Sequence, residues 1–291
     1  MIRTAQKLIL AALFPFKGFG LRRFALVRGI LGALKPNVAT VLGQPFYLDP
    51  TDFSVSEEIS EGDYEALEIG VAQKIIRPTD TIVDIGANIG YFTVHFCEWA
   101  PRGRIYAFEP NMPTFAILKK NVEARGFKNV NLYQAGLDAE EGSGTLYVNQ
   151  YNKGDNRAYP SFGAQGVRIK MTSLDTVIPA GTAIDIIKMD IQGYEVHALR
   201  GMSRVLRESP NLKMLIECSP KLLRRAGSSA EEFFSLLEGS GLSWEMFDNV
   251  SHGLLSISKQ EYMDRFPAEE DDYGNLLCWK GEKSFLQSRN I

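Results

Sequence analysis

"TIVDIGANIGYFT", residues 81–93, reads as a strand, a glycine-rich turn and the start of a helix. Ile82 and Val83 are β-branched and apolar, as a strand buried on both faces requires. Asp84 places a carboxylate where that strand ends. Gly86 and Gly90 flank Ala87, Asn88 and Ile89, so the backbone can turn tightly and approach a ligand closely. A second strand, "IYAFEP" (105–110), carries Glu109 at its end, 25 residues beyond Asp84. A ribose-binding acid in a dinucleotide fold falls about 20 residues past its glycine turn. The pair of motifs predicts a nucleoside cofactor.

Three glycine-loop chemistries compete for that cofactor. A P-loop ends in Gly-Lys-Ser/Thr, and this loop does not. A dinucleotide fingerprint places a central glycine against pyrophosphate, where this chain has Asn88. S-adenosylmethionine carries no phosphate and bears a cationic sulfonium, which favours acids near the loop. The segment from Asp84 to Glu109 begins and ends in acids, with Arg102 and Arg104 confined to the start of the second strand. The methyl donor is the preferred reading. A nicotinamide or flavin nucleotide and a purely structural turn stay open on the motif alone.

Outward from this stretch, strands and helices alternate. Helices are predicted near 63–76, 91–99, 112–125 and 229–238, with a further one over "YEVHALRGMSRVL" (194–206). Pro78 ends the first helix and Gly126 caps the third. Strands are predicted at "TIVDIG", "RIYAFEP", "NVNLYQAGL", "IDIIKMDI", "LKMLIECS", "SWEMFD" and "NLLCWKG". "GTLYVNQ" and "VRIKMTSL" form an inserted antiparallel pair, joined by a turn-rich insertion or lid at 151–166. A mobile acidic segment, "AEEDDYG", is expected between the last two strands. The predicted fold is α/β, a doubly wound, mostly parallel, seven-stranded sheet with helices on both faces. Ligands in such folds bind beyond the carboxyl ends of the strands. Asp84, Glu109, Gln134, Asp190 and Glu217 all fall there.

Composition bounds the rest. The chain has 291 residues, enough for one α/β domain and an extension. Hydrophobic content of 45% and charged content of 23% are those of an ordinary globular protein, and a net charge of −3 gives no case for a nucleic-acid partner. Cys97, Cys218 and Cys278 sit in apolar runs and read as reduced packing residues in a cytoplasmic protein. His95, His197 and His252 are isolated, so no metal site is predicted. Residues 1–48 carry seven Lys and Arg, Arg3 to Lys35, and no acid. The first 45 residues are therefore expected to form a basic, amphipathic helical extension ahead of a domain at 46–285. That extension packs on the domain or a second subunit, lies on an anionic membrane surface through residues 1–35, or serves targeting. Oligomeric state is not readable.

Taken together, "VDIGANIGYFT", "YAFEPNMPTFAILKKNVEARGFKNVNLYQAGL", "TSLD", "DIIKMDIQGYEVHALRGM" and "LIECSP" resemble the FkbM family of S-adenosylmethionine-dependent methyltransferases over about 46–281. "EGDYE" and "NLLCWKG" resemble that family's flanks. The resemblance implies a class I methyltransferase fold, Rossmann-like, and O-methylation of hydroxyls on sugars, glycolipids or secondary metabolites. It implies that Asp84, Gly86, Ala87, Asn88 and Gly90, with Tyr91 and Phe92 in the helix that follows, wall the methionine half of the cofactor. By the same resemblance Glu109 holds the ribose, Pro110 and Asn111 border the adenine, and Gln134, Ala135 and Gly136 line the adenine edge. One departure stands out: Gln192 occupies a place where the family commonly has glutamate.

The chemistry needs an aligned acceptor hydroxyl and a group to take its proton. Asp190, after the β-rich run "IDIIKM", is the leading base and also a candidate for the cofactor's amine. Glu217, ending the next strand, is a candidate to hold the acceptor. Lys188, two residues before Asp190, could pair with it and weaken it as a base. Glu195 suits the first turn of its helix, and His95 and His197 read as packing residues. A nicotinamide oxidoreductase and a non-catalytic cofactor-binding subunit are the competing functions.

Overall fold

The structure, a computed structural model, describes residues 36–52, 54–149, 152–161 and 164–283. The basic segment 1–35 lies outside the described residues. The strands are β1 (Val38–Val41), β2 (Gln44–Tyr47), β3 (Thr81–Ile85), β4 (Arg104–Phe108), β5 (Val130–Tyr133), β6 (Gly136–Leu137), β7 (Gly142–Val148), β8 (Gln165–Thr172), β9 (Ile186–Met189), β10 (Lys213–Cys218), β11 (Leu242–Asp248), β12 (Gly253–Leu255) and β13 (Gly274–Lys280). The helices are α1 (Val55–Glu61), α2 (Ala66–Ile75), α3 (Tyr91–Trp99), α4 (Met112–Ala124), α5 (Leu174–Val177), α6 (Glu195–Arg200), α7 (Ser203–Glu208), α8 (Pro220–Arg225), α9 (Ala230–Gly239) and α10 (Lys259–Arg265).

Among the described residues the main sheet has eight strands in the order β12-β11-β13-β10-β9-β3-β4-β5. The run from β10 to β5 is parallel throughout, and β13 is antiparallel to both neighbours. Seven of these strands are those predicted; the eighth, β12, is a three-residue edge strand paired with β11. The chain winds outward through β3, β4 and β5, then returns to start β9 on the other side of β3. The topological switch point therefore lies between β3 and β9, and their carboxyl ends form a crevice there.

Alternation along the strands sorts the two faces. Val83, Ile85, Ile187, Met189, Ile216 and Cys218 enter one apolar cluster with α6, α7 and α9. Ile82, Ile186, Leu215 and Leu277 enter the other with α2 and α3. The same two-residue period carries Asp84, Lys188, Glu217 and Asn275 onto the α2–α3 face, one row nearer the carboxyl rim. Asp84 lies beside Lys188, and Glu217 beside Asn275, in register. Four adjacent strands thus end in one polar row.

Several local outcomes differ from the sequence reading, each for a physical reason. The predicted strand 129–137 divides: β5 stays in the main sheet, while β6 pairs β8 in a separate three-stranded sheet with β7. The predicted helix 194–206 breaks at Gly201 and Met202 into α6 and α7. A Cβ at Gly201 would stand 2.0 Å from the Asp138 carbonyl oxygen, so the chain turns where a strand crosses it. The β1–β2 hairpin spans residues 38–47, so β1 and the start of β2 fall in the stretch expected to be helical extension, 1–45, and the end of β2 falls in the expected domain. Phe46 is fully buried there with Val55, Ile59, Ile89 and Val94, and Asn121 bonds both the N–H and the carbonyl of Tyr47. The hairpin is part of the domain. Finally, α10 occupies the predicted connection between β11 and β13. Ser258 and Glu261 form a capping box, and buried Tyr262 donates its hydroxyl to Cys218 O at 2.6 Å.

Candidate functional site

Two cavities open at the carboxyl rim. The smaller, about 80 Å³, is walled by Gly86 and Asn88 from the turn after β3, Phe108, Glu109 and Pro110 from the end of β4, and Ala135, Gly136 and Leu137 after β5. Lys153, Gly154, Asn156 and Ala158 of the insertion close it, as expected of a lid-like loop. The larger, about 490 Å³, lies on the polar-row face and is lined by Tyr64, Glu65, Phe92, Lys188, Glu217 and Tyr273 among others. The cavities share Tyr64, Gly154, Asp190 and Gln192 as walls.

The turn after β3 is built for close approach. Gly86 takes φ +80, and a Cβ on it would stand 2.0 Å from the Asp190 carbonyl oxygen, so two strand ends meet backbone to backbone. Asn88 is left-handed at φ +50, which asparagine tolerates better than most residues. Its N–H donates to Glu109 Oε2 at 3.1 Å, while Asn111 N–H donates to Glu109 Oε1 at 2.8 Å. Two backbone donors thereby fix the carboxylate. Each oxygen keeps acceptor capacity for a further donor. Burial raises the Glu109 pKa to about 7; those two N–H groups oppose the rise and the nearby Asp84 adds to it.

Asp84 is buried and accepts from Thr93 Oγ1 at 2.5 Å, tying β3 to α3; its Oδ1 has no partner among the described residues. Burial lifts its pKa to about 6, against the lowering effect of Lys188 and Thr93. Lys188 lies 3.3 Å from Asp190 Oδ2 and over the Phe92 ring at 5.1 Å. The surrounding carboxylates, Asp190 first, overcome burial and hold its ammonium well above the ordinary lysine range. Gln192, at φ +54, donates Nε2 to Asp190 Oδ1 at 2.7 Å and to Glu217 Oε1 at 3.0 Å. Two carboxylate acceptors require a donor between them, which glutamine supplies and glutamate would not. Burial, then the charge of Asp190, pushes Glu217 well above the usual carboxylate range.

The predicted site residues sort by position. Gly86, Asn88, Glu109, Pro110, Ala135, Gly136 and Asp190 line the smaller cavity, and Asp190, Glu217 and Phe92 the larger. Asp84, Ala87, Gly90, Tyr91, Asn111 and Gln134 line neither. Ala87 packs on Leu118 and Val122, and Tyr91 lies among Phe46, Tyr64, Phe92 and His95. A Cβ at Gly90 would meet Leu118 Cδ1 at 2.6 Å. Asn111 turns its side chain to Thr114 Oγ1 at 3.0 Å, and Gln134 is exposed. Glu195 is fully buried and accepts from the N–H groups of Ile191 and Gly193, fixing the turn that leads into α6. His95 bonds the Tyr91 carbonyl and His197 stacks on Tyr194.

Glu65, in the "EGDYE" flank, and Glu68 enter the site with no sequence signal of a role there, and Gln192, the departure from the family's glutamate, enters it as the bridge between Asp190 and Glu217. Glu65 and Glu68 start α2, which the polar row draws over the sheet edge: Asn275 Nδ2 donates to Glu68 Oε1 at 2.8 Å. No group of three or more His, Cys, Asp or Glu side chains among the described residues is placed to hold a metal ion. No helix among them is long and apolar enough to cross a membrane.

Residues 84–241 match the Methyltransferase FkbM domain. The chain is 32% identical over 176 residues to Methyltransferase 1 of Beauveria bassiana, covering 60% of this chain and 64% of that protein. It is 27% identical over 169 residues to the hexuronic acid methyltransferase AglP of Haloferax volcanii, covering 57% and 65%. The chain thus spans just under two thirds of the length of each of these relatives. Among solved structures it is similar to M. jannaschii TYW2 in complex with AdoMet, with a TM-score of 0.47, 13% identity and coverage of 84% and 85%. The family match covers more than half of the chain and includes the turn, Glu109, Asp190 and Glu217. It decides between the open cofactor readings in favour of S-adenosylmethionine, and the chain belongs to the FkbM family of methyltransferases.

Proposed function

We propose that this protein is an S-adenosylmethionine-dependent O-methyltransferase acting on a hydroxyl of a saccharide or a glycosylated small molecule. The observation that carries the proposal is Glu109: a buried carboxylate fixed by two backbone donors, at the rim of a crevice beside a glycine turn. These residues fit the cofactor. Glu109 presents acceptors to paired ribose hydroxyls, and Phe108, Pro110 and Leu137 offer apolar surface to a purine. The donor supplies a methyl group already activated on a sulfonium. Gly86, Asn88 and Glu109 bind and orient it; Asp190 and Gln192 stand where the two cavities share a wall. The saccharide part of the proposal is supported by the relative named as a hexuronic acid methyltransferase, and by Tyr64, Tyr273, Asn152 and Asn275 lining the larger cavity.

An acceptor hydroxyl must lose its proton as its oxygen meets the methyl carbon. We assign that proton to Asp190, against the weakening expected from its 3.3 Å pairing with Lys188, and the alignment of the acceptor to Glu217, bridged to Asp190 by Gln192. Calorimetry with S-adenosylhomocysteine and with NAD tests the cofactor: binding of the first without the second is expected, and the reverse overturns the proposal. Mass spectrometry of a saccharide panel should show a gain of one methyl on oxygen. Asp190→Asn should keep S-adenosylhomocysteine affinity while turnover falls by roughly 10²- to 10⁴-fold; unchanged turnover removes Asp190 from the reaction.

A further inference from the structure

With the smaller cavity read as the nucleoside site, the larger one determines the charge of the acceptor. Its outer wall is nearly balanced: Asp155 pairs with Arg157 at 2.6 Å and Asp271 with Lys221 at 2.9 Å, and exposed Glu58 and Arg225 add one charge of each sign to the lining. The inner wall is not. Glu65, Glu68, Asp190 and Glu217 face one ammonium, that of Lys188, which lies on Asp190. The methyl donor brings an ammonium, a sulfonium and a carboxylate, a net single positive charge, so the inner wall still holds more carboxyl groups than cations with the donor in place.

Glu217 gives a second, independent sign of a missing partner. It is 8% exposed, its Oε1 is held by Gln192, and no hydrogen bond reaches its Oε2 among the described residues, although it lines the cavity. Burial brings the Glu65 pKa to about 7, with Lys188 opposing and Asp190 and Glu68 adding to the rise. Burial, with more acids than cations around them, favours the protonated form of these carboxyls. A ligand cation would displace those protons.

We propose that the larger cavity takes an acceptor carrying an ammonium group beside the hydroxyl that is methylated, an amino-polyol, and rejects acceptors carrying a carboxylate. Above the Glu65 value of about 7, a ligand carboxylate placed about 5 Å from Glu65 would meet a repulsion worth roughly a hundredfold in affinity at an effective dielectric of about 20. The proposal rests on the methyltransferase reading, and it separates this chain's acceptor in charge from a hexuronate.

The test uses the full chain saturated with S-adenosylhomocysteine, at pH 8 and low salt, titrated with D-glucosamine quaternised as its N,N,N-trimethylammonium derivative to fix its charge, D-glucose and D-glucuronate. The cationic sugar should bind on the order of tenfold or more tighter than glucose, and glucuronate weakest, the gap narrowing in added salt. A cationic sugar that binds no better than glucuronate overturns the proposal, and so does a preference that survives in both Glu65→Gln and Glu217→Gln. The wild-type comparison stands if either variant misfolds. Failure to bind S-adenosylhomocysteine counts against the proposed function instead, and the sugar series repeated without it decides the charge question separately.

Discussion

Glu109 joins cofactor recognition to pH. Its carboxyl is pushed up to about 7 because burial outweighs its two N–H donors. Ribose hydroxyls donate to the ionised form, so binding must release the proton when the carboxyl still holds it. S-adenosylhomocysteine affinity should therefore rise from pH 5.5 to about 7, by up to about tenfold per unit, and level off above that. Glu109→Gln should flatten the profile and weaken binding by roughly 10- to 100-fold at pH 8; calorimetry across this range reads both effects. Gln192 makes the opposite kind of test. Replacing it by the family's more common glutamate puts a third carboxyl between Asp190 and Glu217 and removes the bridging donor. Gln192→Glu should shift the limb of the pH–turnover profile upward by about a unit or more. An unmoved limb would mean that the bridge does not set the protonation of the pair.

At the scale of elements, the glycine turn is held by geometry that a single methyl group would break. Gly86→Ala places a Cβ against the Asp190 carbonyl at a backbone angle suited to glycine, and neither β3 nor β9 can retreat from the sheet. The expected cost is on the order of 3 kcal/mol. Gly126, also left-handed but with nothing within 4 Å of its Cβ position, is the control, and Gly126→Ala should cost about 1 kcal/mol. Urea denaturation of the two variants distinguishes crowding from conformational strain. The sequence made this turn legible because β-branched strands and glycines at fixed spacing report local backbone demands. It did not make the α6–α7 break legible. Gly201 lies in a run of helix formers, and the obstacle, the Asp138 carbonyl, is 63 residues away in sequence.

Across the whole molecule, the parallel order of β3, β4, β5, β9 and β10 followed from alternation of strands and helices, and so did the rim carrying Asp84, Glu109, Asp190 and Glu217. The β1–β2 hairpin and the approach of Glu65 and Glu68 to the site did not, because both depend on packing between segments distant in sequence. Phe46 has no local pattern that marks it for burial on α3, and Glu68 looks like an ordinary helical acid until Asn275 meets it. The structure therefore collects more buried acid than the sequence suggests, and global stability should report it. Burial raises Asp84 to about 6 and Glu109 and Glu195 to about 7, where unfolded carboxyls titrate near 4 to 4.5. Each group binds its proton more tightly folded than unfolded, so its contribution is fully present below the unfolded value and is lost as pH rises through the folded one. Unfolding free energy of the ligand-free protein should fall between pH 5 and pH 7.5, by on the order of several kcal/mol in total, and then flatten. Glu195→Gln should remove part of that slope, since its Oε2 is buried without a partner. Saturating S-adenosylhomocysteine should offset the loss most at pH 7.5, where Glu109 is ionised and best able to accept from ribose. Stability that rises with pH across this window would show that these carboxyls are ionised in the folded chain.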